Sequence, residues 1–212
     1  MSTAFFLNSL PSRTAQLVHF FQQKRPNFLQ SFYLSGGTGL SLQLGHRESE
    51  DLDFFSQRVF QPQIVEKELS VLGTLSQTEL SKGTLNTFFN EVKLQFLEYQ
   101  YPLLEPLVEW EGMNISSIPD IACTKLQTVS MRGSKKDFID IYFLLKRYSL
   151  AELLSLTKKK YAASDYSQTH ILKSLIYFVD AEDQPMPRMH KQVHWQEVKE
   201  KLILAVKSIP LI

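Results

Sequence analysis

The chain has 212 residues, 23 basic and 22 acidic side chains, a formal net charge of +1 and 43% hydrophobic content. This is the make-up of an ordinary globular protein, with room for one generous domain or for a core and a smaller partner. It excludes a globally basic nucleic-acid binder, so any RNA contact must come from a local patch. The single cysteine, Cys123, excludes an intramolecular disulfide and fits a reducing compartment.

The N-terminal stretch MSTAFFLNSLPSR has no basic segment ahead of its short apolar run, so no signal peptide is expected. Residues 12–24 space their apolar side chains as a helix, with Ser12 as N-cap. FYLS (32–35) is a short apolar run stopped by Gly36-Gly37 and reads as a strand. TGLSLQLGH (38–46) reads as a helix launched from that glycine turn, although its alternate leucines also suit a strand. DLDFFS (51–56) reads as a strand. QPQIVEKELSVLG (61–73) puts Ile64, Val65, Leu69 and Leu72 at helical spacing, with Gly73 as the stop. TLSQTELS, TLNTFFN and EVKLQFLEY then read as strands, with turns at Lys82-Gly83 and Asn90-Glu91.

A shift in composition falls near Pro119. Beyond it, helices are expected at about 119–131, 135–147, 150–160, 165–180 and 194–208, with Pro185 and Pro187 separating the last two. HILKSLIYFV is half the length of a membrane span and contains Lys173, so a soluble, cytoplasmic protein with no membrane association is expected. The expected fold class is α/β (α+β), with a sheet-containing core over residues 1–116 and a helical C-terminal subdomain over 117–212.

The chemistry-bearing segment is GGTGLSLQLGHRESEDLDFFS, residues 36–56. Asp51 and Asp53 are one residue apart on an expected strand, so both carboxylates face one side while Leu52 and Phe54 face the core. Two adjacent carboxylates repel, and a divalent cation removes that cost. Mg2+ takes one or two carboxylates plus phosphate oxygens, which suits a metal–NTP complex; two metals can clamp the oxygens of an in-line displacement. Gly36 and Gly37 let the backbone approach a phosphate, the following helix N-terminus favours an anion, and the Thr38 hydroxyl can donate to a phosphate oxygen. Taken alone, an Asp-X-Asp or a Gly-Gly pair is an ordinary strand end or turn. The chain has neither a P-loop nor a GxGxxG fingerprint.

Further along, Lys125 lies on the same stripe as Ile121 and Val129, which places a lysine facing inward. It either snorkels out at the core edge or meets a charge, such as a triphosphate. Asp137 and Asp140 share a neighbouring stripe; without other information they are a solvated helix face, and Asp137 suits the helix dipole. Arg132, Lys135 and Lys136 form a basic cluster that either meets phosphate or is solvated, and Lys158–Lys160 reads as a solvated helix end. Arg47 either binds phosphate or pairs with Glu48 or Glu50. The aromatics read as core, the histidines show no zinc pattern, and Cys123 reads as a buried small hydrophobe.

A glycine-glycine-Ser/Thr turn followed by Asp-apolar-Asp on a strand resembles the nucleotidyltransferase-β superfamily. The longer string GGTGLSLQLGHRESEDLDFF, together with DIACTKLQTVSMRGSKKDFIDIYFLL (120–145), resembles the AbiEii/AbiGii toxin family within it. The resemblance implies a nucleotidyltransferase-type mixed sheet with flanking helices, completed by the C-terminal helical bundle. It implies Mg2+-dependent transfer of NMP from an NTP to an acceptor, with tRNA or another RNA favoured, and a cognate antitoxin as a possible partner. It makes Asp51 and Asp53 the metal ligands and catalytic aspartates, Lys125 the NTP-contacting lysine and Asp140 a later catalytic aspartate. Gly36, Gly37, Thr38, Arg47 and Ser49 become nucleotide-binding. The sequence departs from the superfamily in one respect. The strand expected to carry a third carboxylate, EVKLQFL, has Lys93 and Gln95 on its site-facing positions. Either the third acid is missing or Asp140 replaces it, which leaves open a nucleotide-binding or partner-binding module without turnover. Transfer to a small molecule on the same fold is also open.

Overall fold

The computed structural model describes residues 5–164 and 167–210. The start of the N-terminal stretch and the first two residues of the helix expected over 165–180 lie outside the described residues. The chain divides into two compact units, Met1–Ser117 and Ile118–Ile212.

The first unit is built on helix α1 (Ser12–Lys24), strand β1 (Tyr33–Leu34), helix α2 (Gly36–Leu44), strand β2 (Leu52–Ser56) and helix α3 (Pro62–Leu72). Strands β3 (Leu75–Ser81), β4 (Thr84–Phe89), β5 (Val92–Glu98), β6 (Val108–Trp110) and β7 (Met113–Ile115) follow. The strands form a mixed sheet in the order β3-β4-β5-β2-β1-β7-β6. β2 runs parallel to β5 and β1 parallel to β7; the other neighbours are antiparallel.

Alternation along the strands sorts this unit into two faces. Leu52 and Phe54 of β2, Leu94 and Phe96 of β5, and Leu85 and Phe89 of β4 are buried in one core. Leu17, Val18 and Phe21 of α1 and Val65 and Leu69 of α3 fill the same core. Phe54 stacks on Phe96 at 5.0 Å, and Phe21 meets Phe54 edge-on at 6.2 Å. Each such side chain contributes roughly 1.5–3 kcal/mol when fully buried. The opposite face therefore receives Asp53 from β2 and Lys93 and Gln95 from β5. α2 is buried on every side from Thr38 to Leu44. That explains its alternate leucines: a helix enclosed all round has no polar face to display.

Two details of the first unit depart from expectation. Pro11, not Ser12, is the N-cap of α1, and Ser12 is its first helical residue. A hairpin over residues 108–115 carries β6 and β7, with Glu111 and Gly112 both at positive φ in its turn.

The second unit is helical: α4 (Ile118–Met131), α5 (Lys135–Leu144), α6 (Leu150–Lys160), α7 (Gln168–Ser174), α8 (Val179–Glu182) and α9 (Trp195–Lys207). α4 packs against α5, α6 and α7, and α5 packs against α9. α6 begins with a reciprocal capping box between Ser149 and Glu152. Phe138 and Phe178 each meet Trp195 edge to face and lie tilted against one another, which ties α5 to α9. The single helix expected over 165–180 is instead α7 and α8, separated by a turn at 175–178. Among the described residues, no helix is long and apolar enough to cross a membrane.

Candidate active site

In the first unit, the backbone carries β1 directly into α2 through Ser35, whose N–H donates to the Asp53 carbonyl at 2.8 Å. The next residue, Gly36, has φ +62, a left-handed conformation that glycine adopts without cost. It lies against the Asp53 side chain so closely that a Cβ there would overlap the carboxylate. A Cβ on Gly37 would meet the Arg47 guanidinium at 2.7 Å and the Ser49 hydroxyl at 3.2 Å. The two glycines thus bring the α2 N-terminus between a carboxylate and a guanidinium.

The loop from α2 to β2 is held in place from beneath. Thr38 is fully buried; its hydroxyl donates to the Asp51 carbonyl and lies 2.9 Å from Ser49 Oγ. This corrects the role expected for Thr38: its hydroxyl braces the loop rather than facing outward to a phosphate. Arg47 is also buried, and its Nη1 donates to the Glu48 carbonyl at 2.9 Å. Asp51 immediately precedes β2, and Asp53 is its second residue; both are half-buried and flank the fully buried Leu52.

The donor set fits a hard cation that brings further ligands with it. Two carboxylates stand at Asp51 and Asp53. Among the described residues no group of three or more His, Cys, Asp or Glu side chains is placed to hold a metal. Mg2+ bound by one or two carboxylates completes its octahedron with water and phosphate oxygens. The buried guanidinium and the N–H groups at the α2 N-terminus have the chemistry to receive an anion beside them.

The second unit gathers another set of predicted residues. Lys125 of α4 is buried, and its Nζ lies 2.8 Å from Asp137 Oδ1 and 2.6 Å from Asp140 Oδ2, both fully buried on α5. Arg132 Nε, largely exposed, reaches Asp137 Oδ2 at 3.3 Å. The inward lysine therefore meets a charge from its own unit. Asp137 is more than a carboxylate suited to the helix dipole: it bridges Lys125 and Arg132. Lys135 is not part of a solvated cluster either. It is buried, donates to the carbonyls of Glu182 and Gln184, and lies over the Trp195 ring.

Sequence reasoning missed one buried pair. Lys160 Nζ lies 2.6 Å from Asp120 Oδ1, and both side chains are almost wholly enclosed. The helix end expected to be solvated departs from that reading at one of its three lysines: Lys160 turns inward while Lys158 and Lys159 are exposed. The signal was present, because Lys160 continues the stripe Leu150, Leu153, Thr157. Cys123 lies in the same region, and burial pushes its thiol up to about 11.

A comparison with known sequences decides the family. The profile of the nucleotidyl transferase AbiEii toxin family, type IV toxin–antitoxin system, matches residues 20–209. The chain belongs to this family. The AbiEii-family chain is accordingly a nucleotidyltransferase. It is 39% identical over 183 residues to an uncharacterised protein of Aquifex aeolicus, covering 84% of this chain and 87% of that one. Its fold is similar to that of MenT4, a nucleotidyltransferase toxin of Mycobacterium tuberculosis, with a TM-score of 0.53 at 13% identity over 94% of this chain and 87% of that one. JHP933 of Helicobacter pylori is similar at a TM-score of 0.51 and 20% identity, over 93% of this chain and 92% of that one. The mixed sheet of the AbiEii-family chain is thus a nucleotidyltransferase-type sheet.

Proposed function

We propose that this nucleotidyltransferase binds an NTP with its triphosphate at the α2 N-terminus and transfers the NMP to the 3′ end of an RNA, with tRNA the favoured acceptor. The observation that carries the reading is the glycine pair, which sets one helix N-terminus between the Asp53 carboxylate and the buried Arg47 guanidinium. Backbone N–H groups, Arg47 and Ser49 bind and orient the phosphates. Asp51 and Asp53 hold Mg2+, which when bound neutralises charge on the triphosphate. The acceptor hydroxyl attacks the α-phosphorus in line; the new O–P bond forms as the bond to the β-phosphate oxygen breaks, pyrophosphate leaves with the electron pair, and the hydroxyl proton passes to solvent. Asp140 lies 2.6 Å from the Lys125 ammonium and holds that lysine in place within the second unit. Such catalysis is mainly positioning and electrostatics. The protein acts as a toxin in the cytoplasm, restrained by a cognate antitoxin protein.

The test is transfer from each labelled NTP with Mg2+ and a total extract of RNA and protein, for the wild type and Asp51→Ala. An RNase-sensitive labelled band made only by the wild type is expected. A band of equal strength from Asp51→Ala would remove Asp51 from the chemistry. A second reading, nucleotide binding without turnover, is favoured by the neutral Gln95 registered beside Asp53; it predicts Mg–NTP binding with no labelled product.

A further inference from the structure

Gln95 sits in a polar row that crosses four strands. The strand registers pair Asp53 of β2 with Gln95 of β5, Gln95 with Asn86 of β4, and Asn86 with Glu79 of β3. The residues flanking Gln95, Leu94 and Phe96, are fully buried in the core, so Gln95 lies on the face that carries Asp53. Its Nε2 donates to Asn86 Oδ1 at 2.8 Å.

That hydrogen bond fixes which end of the amide faces which neighbour. The contact needs one N–H group and one carbonyl. Asn86 presents its oxygen to Gln95, and Glu79 is registered on the far side of Asn86, where a carboxylate disfavours an amide oxygen turned towards it. Gln95 must then donate, as it does. A planar amide holds its oxygen and nitrogen on opposite edges, so with the nitrogen committed towards β4, the oxygen is the edge left for the β2 side. An amide oxygen turned to that side can share a cation with the Asp53 carboxylate.

We infer that the Gln95 side-chain oxygen is a neutral third protein ligand for the divalent cation held by Asp51 and Asp53, and that Asn86 is the positioning residue that turns it. The inference rests on the proposed reading of the two aspartates as metal ligands. It gives the neutral residue a function. A carboxylate at Gln95 would bring three negative charges to the cation, whereas Asp51, Asp53 and Gln95 bring two and an uncharged oxygen. The cation is then held loosely by the protein alone and tightly only with the triphosphate, which supplies the missing negative charge.

The test is Mn2+ binding without nucleotide, read from the loss of the free-ion paramagnetic resonance signal, with thermal melts to confirm folding. Gln95→Leu is expected to weaken Mn2+ binding at least threefold, and Gln95→Glu to tighten it at least tenfold. Asn86→Leu should weaken it in the same sense as Gln95→Leu. Asn86→Asp should restore it, because a carboxylate at that position can only accept and so forces the same amide orientation. Mn2+ affinity unchanged in Gln95→Leu and Gln95→Glu, in a protein whose binding is lost on Asp53→Asn, would overturn the assignment of Gln95 and leave the aspartates in place. Binding that survives Asp53→Asn, or no Mn2+ binding by the wild type, would instead overturn the reading of the aspartates, and the role of Gln95 with it.

Discussion

Gly36 and the Asp53 carboxylate occupy adjoining space so tightly that one methyl group on the glycine would fill the place of the carboxylate oxygen. Gly36→Ala therefore combines two effects. The left-handed backbone costs an L-residue about 1–2 kcal/mol, and the Asp53 carboxylate must move. Displacing a reacting group by about 1 Å costs on the order of a hundredfold in rate. The expected result is a modestly lowered melting temperature with transfer reduced about a hundredfold. A variant with wild-type kcat would show that Asp53 has freedom to move without consequence.

Arg47 is buried against Gly37. On the proposed phosphate-binding role, Arg47→Lys keeps the charge and removes the planar fork, leaving a one-point grip in place of two. KM for the NTP should rise about tenfold, equivalent to about 1.4 kcal/mol, with a smaller change in kcat. Steady-state kinetics over a range of NTP concentrations separates the two parameters.

Lys125 neutralises two enclosed carboxylates, Asp137 and Asp140. Removing one partner of a buried charge network costs about 3–5 kcal/mol, so Lys125→Met should lower the urea midpoint strongly. Arg132 touches the same Asp137 from a largely exposed position, and exposed pairs contribute about 0–1 kcal/mol. Arg132→Met should leave the midpoint close to wild type. Equal losses from the two substitutions would contradict this division.

The Asp120–Lys160 pair is enclosed on both sides. Lys160→Met alone strands the aspartate and should destabilise by about 3–5 kcal/mol, whereas Asp120→Leu combined with Lys160→Met should recover most of that loss. A double-mutant cycle by urea denaturation reads the coupling directly.

Burial raises the Cys123 thiol from its ordinary value of 9.0 to about 11. Between those values the unfolded chain loses the proton and the folded chain keeps it. Stability from this group is therefore intact below pH 9.0 and falls as pH rises towards 11. The slope is about 1.4 kcal/mol per pH unit across that window. Cys123→Ala should flatten the decline in urea stability measured from pH 8 to pH 11. A thiol reagent at pH 8 should label Cys123 only as fast as the chain opens.

The sequence carried the fold where periodicity was long and one-sided. α6 spans the expected residues because Leu150, Leu153 and Leu154 form one buried face behind a clear cap. It did not carry the 108–115 hairpin, whose strands are three residues each, too short for alternation to register. The break between α7 and α8 was hidden because Ile176, Tyr177 and Val179 look like core residues yet are exposed. At the site, the spacing of Asp51 and Asp53 and the glycine turn were legible because strand alternation and glycine geometry are local. The partners of Lys125, Lys160 and Gln95 were not, because each depends on how one element packs against another rather than on spacing within its own element.

The pairing of β2 with β5 has a bearing on how the protein comes into being. α3, β3 and β4 all intervene between Asp53 and the residue beside it, Gln95. Contacts so far apart along the chain close late and slowly. A polypeptide growing on the ribosome holds both aspartates long before the strand that flanks them has been synthesised. Translation halted ahead of β5 therefore yields a fragment bearing the aspartates on an unfinished sheet, without the strand that registers Gln95 beside Asp53.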